Sequence, residues 1–271
     1  MTPGTTTLLS VSLVLAASAG LGAAESRGGR ALSDESRGGR ALSDESRGGR
    51  ALSGESRGGR AALSDETYRA VPLDQKPPAE VSEKIRAELR PQAVRVEEGD
   101  EPFADVWLRK DVPTREPVPT LGVDYGQLPE GSLLGVVRFH GRTKDFRGNR
   151  FPAGVYTFRS ALQPQDGDHL GVSETRDFVL LAPVSEDRET APIPHKELNQ
   201  LSAKVTGTKH PSVLYLTKVF GKAEKLPKVV EDRGRELWIL DCEIPAKGGG
   251  EGEKKAVRLG IVLVGRAPET F

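Results

Sequence analysis

The sequence lacks the cysteines that a disulfide-stabilised domain needs. Its single cysteine, Cys242, excludes any intramolecular disulfide. An exported domain without disulfides must be held by its hydrophobic core, and residues 67–271 are numerous enough to form one. The sequence also lacks an excess of either charge, because 39 Lys and Arg residues stand against 39 Asp and Glu residues. No overall field attracts nucleic acid or an anionic membrane, and we expect no nucleic-acid partner.

The common motifs of catalysis and cofactor binding are missing as well. The sequence contains no G-x-S-x-G elbow, no H-E-x-x-H or C-x-x-C motif and no Walker-type glycine loop. This favours a chain that is not an enzyme and that binds no organic cofactor. A hydrolase whose residues converge only in three dimensions remains the alternative.

The N-terminal segment, residues 1–24, is predicted to be a signal peptide. An apolar run over residues 8–17 is too short to span a membrane, and two small-residue cleavage sites follow it, at residues 17–19 and 22–24. We therefore expect export to the periplasm or the extracellular space, with no transmembrane segment in the mature chain. The region before the apolar run has no Lys or Arg, which departs from the usual pattern and leaves an uncleaved N-terminal anchor open.

Residues 25–66 repeat a ten-residue unit, E-S-R-G-G-R-A-L-S-D, that starts at Glu25, Glu35, Glu45 and Glu55. Each unit has too few apolar residues to offset the entropy of ordering the chain, so a disordered spacer is predicted. Arg-Gly-Gly sequences also occur in disordered RNA-binding segments. Here acidic residues balance the arginines and no aromatic residue is interleaved, so the spacer interpretation is preferred.

A linker with a short helix is predicted over residues 67–92. Val81, Ile85 and Leu89 form one apolar stripe within residues 79–90, and Pro91 ends the pattern. Three apolar residues are too few for membrane binding, and we expect this helix to lie on the outside of a sheet.

Residues 93–271 are predicted to form an antiparallel β-sandwich, jelly-roll or immunoglobulin-like, with one or two short peripheral helices. Alternating patterns and turn signals recur with few helices between them, which is typical of such folds. Helical spacing appears at His195–Lys204, and Glu98–Glu101 has the composition of a hairpin turn. The predicted strands are 93–97, 103–109, 135–140, 155–162, 176–181, 213–216, 237–244 and 256–264.

One compact polar cluster, Asp166, Asp168 and His169, is the candidate metal site. Two carboxylates and an imidazole on one loop suit Ca²⁺-like cations or Zn²⁺. The same Asp-Gly-Asp pattern is also ordinary turn chemistry, in which carboxylates accept backbone N–H groups. A third interpretation is acid–base chemistry together with Arg176 and Asp177, if the next strand folds back alongside.

Other polar and aromatic residues depend on the fold for any role. His140 and His210 would complete the metal site only if the fold gathers them. Alternation in the strand of residues 237–244 places Cys242 in the core rather than in a reactive position. Tyr125, in a loop, is the aromatic residue that we expect to be exposed. The other aromatics suited to a sugar platform are predicted to pack in the core; they are Trp107, Tyr156, Tyr215 and Trp238.

Residues 135–181 contain a series of distinctive strings: Phe146–Gly148, Pro152–Thr157, Asp166–Gly171 and Arg176–Phe178, continued by Gly207–Val213. With these strings the chain resembles a group of uncharacterised secreted bacterial proteins. The resemblance covers most of residues 100–220 and implies an exported β-sandwich domain. It implies no activity and no assigned site residue.

These observations lead to one functional expectation and its alternatives. We expect a non-catalytic binding or structural module of the cell envelope or extracellular space, with an envelope component or carbohydrate as partner on fold analogy alone. A metal-binding protein that uses residues 166–169 and a hydrolase are the two alternatives.

Overall fold

The computed structural model describes residues 68–165, 173–222, 224–248 and 256–268. The predicted signal peptide and the ten-residue repeats lie outside these ranges. The described residues contain two helices, α1 (Glu83–Glu88) and α2 (His195–Thr206), and thirteen strands. The strands are β1 Tyr68–Leu73, β2 Ala93–Glu98, β3 Glu101–Leu108, β4 Val112–Pro113, β5 Leu133–Phe139, β6 Thr143–Lys144, β7 Arg150–Phe151, β8 Gly154–Leu162, β9 Asp177–Pro183, β10 Val213–Thr217, β11 Lys228–Asp232, β12 Leu237–Lys247 and β13 Ala256–Val264.

Eleven of these strands form one sheet, which confirms the prediction of a mainly antiparallel β fold. Its order is β1-β2-β3-β5-β8-β9-β10-β13-β12-β11, and β4 adds a short parallel pairing to β12. Strand β1 lies beside β11, and the ring of Tyr68 is centred 5.0 Å from the ring of Trp238 on β12. The sheet therefore curls around a shared interior. Its assignment to the jelly-roll or immunoglobulin-like class stays a prediction.

Bulges and a glycine account for this curvature. The pairing register shifts at Val96/Glu97, at Leu133/Gly135 and at Trp238/Ile239, and such irregularities bend a strand and increase its twist. At Gly135 a Cβ atom would overlap the Trp107 carbonyl oxygen on β3, so only glycine allows the two strands to approach this closely there.

Alternate residues of the strands fill the interior. Val106, Val137, Phe158, Leu181 and Cys242 all belong to this one buried cluster. The burial of Cys242 confirms its predicted core role, and that burial raises the pKa of its thiol to about 12.

Helix α1 covers part of the outer face of the sheet, as expected. Ile85 and Leu89 pack with Trp107, Leu133 and Val136, which project outward from β3 and β5. The helix is shorter than the predicted 79–90. It begins after Ser82, whose hydroxyl accepts the Ile85 N–H at 3.3 Å. It ends at Leu89, where the backbone becomes extended.

Helix α2 covers the outer face of β9 and β10. Its Leu198 packs in a second outer cluster with Leu180 of β9 and Val213 of β10. An antiparallel strand usually has one face in water, but most of β8 and nearly all of β9 are buried on both faces. The outer cover explains why β9 contains the continuous apolar run Phe178–Ala182 rather than an alternating pattern.

The sheet begins earlier in the chain than the sequence predicted. Tyr68–Leu73 falls within the segment assigned to a linker, yet it forms β1 and pairs along its whole length with β2. Its alternation is weak because Arg69 is the one polar residue on a face that it shares with Val71 and Leu73, so the strand depends on the neighbour that it meets in the fold. No helix among the described residues has the length and apolar character needed to span a membrane.

Candidate functional site

A cavity of about 620 Å³ opens between α2 and the outer face of β8, β9 and β10. The pairing register brings its floor together, because Ala161 on β8 faces Phe178 on β9 and Leu180 on β9 faces Val213 on β10. Side chains of residues directly opposite one another point to the same face of a sheet. The floor is therefore apolar and is built on regular strands.

Phe146 forms an aromatic wall of the cavity and is held on both sides. Its backbone N–H donates to the Val213 carbonyl at 2.8 Å, and its carbonyl accepts the Ala267 N–H at 2.8 Å. Its ring stacks on Tyr215 with centroids 5.0 Å apart and planes inclined by 25°. These contacts join the β6–β7 loop, β10 and the segment after β13.

The carboxylate of Asp145 shapes the loop that carries Phe146 and Arg147. It accepts the Arg147 N–H at 3.0 Å and the Asn149 N–H at 2.8 Å. Burial raises the pKa of Asp145, and these hydrogen bonds only partly oppose that effect. The loop is thus held by its own side chain rather than left to solvent.

A row of polar side chains forms the α2 edge of the cavity. The Nδ1 atom of His195 lies 2.6 Å from Oε1 of Glu130, and its Nε2 atom lies 2.8 Å from Nδ2 of Asn199. A carboxylate accepts and an amide nitrogen donates, so these partners fit the tautomer in which Nδ1 donates and Nε2 accepts. Glu130 also accepts the Leu162 N–H at 3.3 Å and so links β8 to α2.

The rim of the cavity carries basic side chains. Arg147, His210 and Arg266 line it, and the described lining residues include no Asp or Glu. Within the described part of the chain, neither the guanidinium of Arg147 nor the ring of His210 has a hydrogen-bond or ion-pair partner. The rim therefore offers unused donors for a negatively charged group.

A buried ion pair positions the loop that leads into α2. Arg159 and Asp187 are fully buried and form two hydrogen bonds, at 2.7 and 2.8 Å. The other N–H groups of the guanidinium donate to the carbonyls of Gly131, Ala191 and Glu189. All five guanidinium N–H groups thus have acceptors, and the loop is fastened to the sheet just before the helix starts.

The predicted metal residues Asp166, Asp168 and His169 lie outside the described residues, so the metal site stays a prediction. Over the ranges that the structure describes, no three His, Cys, Asp or Glu side chains converge as metal ligands do.

Asp177 and Arg176, the predicted acid–base pair, hold loops in place. Asp177 accepts the backbone N–H groups of Asp124 at 2.6 Å and Tyr125 at 3.1 Å. Burial raises the pKa of Asp177, and these hydrogen bonds work against that rise. The Nε atom of Arg176 donates to the Gln163 carbonyl at 2.9 Å.

The fold separates His140 from His210. His210 lines the cavity, whereas Nε2 of His140 lies 2.8 Å from Oδ2 of Asp105, on the other side of β5 from the cavity strands. Arg95 pairs with the same carboxylate at 2.7 and 3.1 Å. Burial tends to raise the pKa of Asp105, but the hydrogen bonds from Arg95 and then His140 outweigh it and leave that pKa lowered.

The expectation that Tyr125 is exposed is wrong. Only 4% of this residue is accessible, and its hydroxyl donates to the Thr217 carbonyl at 2.8 Å and accepts the Gly260 N–H at 3.4 Å. The other candidate aromatics are buried, apart from Trp238, which is half-buried. These residues therefore present no open platform for a sugar ring.

Sequence reasoning missed the polar row of Glu130, His195 and Asn199. His195 and Asn199 stand four residues apart on a predicted helix, and this spacing was the available signal. Glu130 precedes His195 by 65 residues, and no local pattern connects them.

In comparisons with protein families, curated proteins and solved structures, no match to this chain was found. Within the chain itself, three of the distinctive strings of the sequence meet at the cavity. They supply Phe146 and Arg147, Phe178, and His210 with Pro211.

Proposed function

We propose that this chain is an exported binding module that holds a small molecule in the cavity beside α2. One observation carries the proposal: a cavity of about 620 Å³ combines an apolar floor with polar groups that converge at its edge. Ligand sites in proteins are commonly concave, mainly apolar and of roughly 300–1,000 Å³, with a few placed polar groups that orient the ligand. The wall and floor are fixed by strand pairing and by both backbone bonds of Phe146, which suits a preformed site.

A hydrolase is the second candidate, favoured by the hydrogen bond between Glu130 and His195. A carboxylate that orients an imidazole is half of a common catalytic arrangement. Binding is preferred because Nε2 of His195, the atom that would act as the base, already accepts from Asn199. The described lining residues also include no Ser, Thr or Cys that could serve as nucleophile. Turnover of p-nitrophenyl esters that is abolished in His195→Ala would favour the hydrolase.

The binding proposal is tested with N-phenyl-1-naphthylamine, a neutral probe whose fluorescence rises in apolar pockets. We expect saturable binding to the full chain and its loss in Asn199→Trp, because the new ring projects over the cavity. Gln200→Trp is the matched control, since Gln200 is an exposed neighbour on α2 outside the cavity lining. Thermal melts of both variants check folding. Equal binding by the two folded variants, or no binding by the wild type, would exclude a ligand site here.

Export is proposed from the pattern of residues 1–24 and has its own test. Mass spectrometry of the chain recovered from the periplasm or the medium should find Gly20 or Glu25 as the first residue, because these follow the two small-residue sites. A chain that retains Met1 and stays with the membrane fraction would instead support an uncleaved anchor.

A further inference from the structure

We infer that the ligand of the cavity beside α2 is a small organic anion, a flat apolar body that carries one carboxylate, phosphate or sulfonate group. This inference rests on the proposed function, since it names the chemistry that the same cavity selects. Two independent features of the cavity support it: the charge of its rim and the shape of its apolar wall.

The charge of the rim favours an anion. Arg147 and His210 line the cavity without protein partners among the described residues, and Arg266 adds a third basic group. The carboxylate of Glu130 stands behind His195, where it already accepts from the imidazole and from a backbone N–H. The guanidinium of Arg147 at the opening is thus not neutralised by the described lining residues.

Arg147 is placed to recognise that group. Its backbone N–H is bound by Asp145, which fixes the point of the loop from which this exposed side chain extends. A guanidinium offers a planar fork of N–H donors that matches the two oxygens of a carboxylate, phosphate or sulfonate. An anion at the rim would gain these charge-assisted hydrogen bonds, and a neutral ligand would not.

The apolar part of the cavity favours a flat ring. Phe146 is held in a stack on Tyr215, and Phe178 lies beside both rings with centroids 6.1 Å from Phe146 and 5.4 Å from Tyr215. Aromatic rings bind other rings in stacked or edge-on arrangements that add to simple apolar burial. Leu180 and Val213 continue the apolar surface below.

The test compares two probes that differ by one charged group. The fluorescent dye 8-anilinonaphthalene-1-sulfonate has the skeleton of N-phenyl-1-naphthylamine plus a sulfonate. We expect the full chain to bind the sulfonate about 5- to 10-fold more tightly than the neutral probe, the range expected for one partly exposed charge-assisted contact. Raising NaCl from about 20 to about 500 mM should remove most of this preference without weakening the neutral probe.

Arg147→Gln should remove the same preference and leave the affinity for the neutral probe unchanged. Arg142→Gln is the matched control. Arg142 is exposed and lies outside the cavity lining, so this variant removes the same positive charge away from the cavity. Equal affinity for the two probes, or equal effects of the two arginine variants, would overturn the anion inference while leaving the cavity as a binding site. If neither probe binds, the proposed function fails as well.

A competition experiment separates two sources of this chemistry. Displacement of the bound sulfonate by free 1-naphthoate would assign the site to a small acid in solution. Displacement only by phosphatidylglycerol vesicles, with phosphatidylcholine vesicles inert, would assign it to an anionic lipid headgroup. If neither displaces the dye, the inferred ligand chemistry is wrong.

Discussion

The buried pair of Arg159 and Asp187 should be among the most sensitive points of the fold. Both side chains are fully buried, and the guanidinium uses all of its N–H groups. Asp187→Ala removes the carboxylate and leaves a buried, uncompensated positive charge. Breaking a buried pair in this way costs about 3–5 kcal/mol. For a domain of roughly 150–250 residues this corresponds to a fall in Tm of about 6–20 °C.

A double variant tests whether the cost comes from the unpaired charge. Arg159→Met alone should cost a similar amount to Asp187→Ala, so the two costs would sum to about 6–10 kcal/mol. The double variant Arg159→Met/Asp187→Ala buries no charge. It loses the bonds to three backbone carbonyls and the hydrogen bond from the Thr157 hydroxyl to the carboxylate, at about 1 kcal/mol each, and so should cost about 4 kcal/mol. The difference from the sum is a coupling of at least about 2 kcal/mol.

Urea unfolding of the full chain, followed by tryptophan fluorescence, measures each free energy of unfolding. Glu189→Ala is the control, because it removes an exposed ion pair to Lys84 from the same loop and should cost less than about 1 kcal/mol. A cost below about 1 kcal/mol for Asp187→Ala, or additive costs in the double variant, would refute the reasoning.

Three further outcomes follow from burial, charge and backbone geometry. Cys242, the only thiol, should not react with Ellman's reagent in the native chain and should release one equivalent of the coloured thiolate in denaturant. Labelling of the native chain within minutes would contradict the burial of this thiol. Because the folded-state pKa of Asp105 is lowered, its ionised form stabilises the fold fully above its unfolded pKa of about 4, and this stabilisation is lost as the pH falls through the folded pKa. Asp105→Asn should therefore lower Tm at about pH 7 and lose that effect in strong acid, whereas a Tm difference independent of pH would argue against it. Gly131→Ala should destabilise by about 2–5 kcal/mol, because a Cβ there would overlap a carbonyl oxygen of the loop before α2 at a φ of +80°. Gly99→Ala is the control, because Gly99 has a φ of +61° but lies in open space, and it should cost only about 1 kcal/mol. If urea unfolding gives the same cost for Gly131→Ala as for Gly99→Ala, the overlap at residue 131 is relieved by a local shift and the reasoning is wrong.

Local patterns predicted most of the strands. The hairpin turn between Glu98 and Glu101 joins β2 to β3 as expected, and Ala256–Val264 forms β13 with the predicted bounds. The alternation around Cys242 correctly placed its thiol in the core. In each case neighbouring residues contain the whole signal, because side chains alternate between the two faces of a strand. Strand β1 was missed because its stability comes from pairing with β2 rather than from its own pattern.

The candidate site depended on contacts between distant parts of the chain. The metal prediction chose a cluster of adjacent residues, whereas the cavity is built from segments between Phe146 and Pro268. Tyr125 was expected to be exposed because its loop is polar, yet the fold gives its hydroxyl a buried acceptor, the Thr217 carbonyl, 92 residues away. Loop exposure cannot be judged without knowing which strand ends lie nearby.

The amino-acid sequence by itself determined the absence of an intramolecular disulfide, the balance of charge, the mainly β character of residues 93–271 and the two helices outside the sheet. The absence of a disulfide and the charge balance follow from the amino-acid composition. The strands and helices follow from the spacing of apolar residues among near neighbours in the sequence. Only the tertiary structure decided that Glu130 meets His195, that Arg159 meets Asp187 and that the basic rim surrounds an aromatic wall. The order of the strands sets these contacts, because it determines which distant residues become neighbours in the sheet.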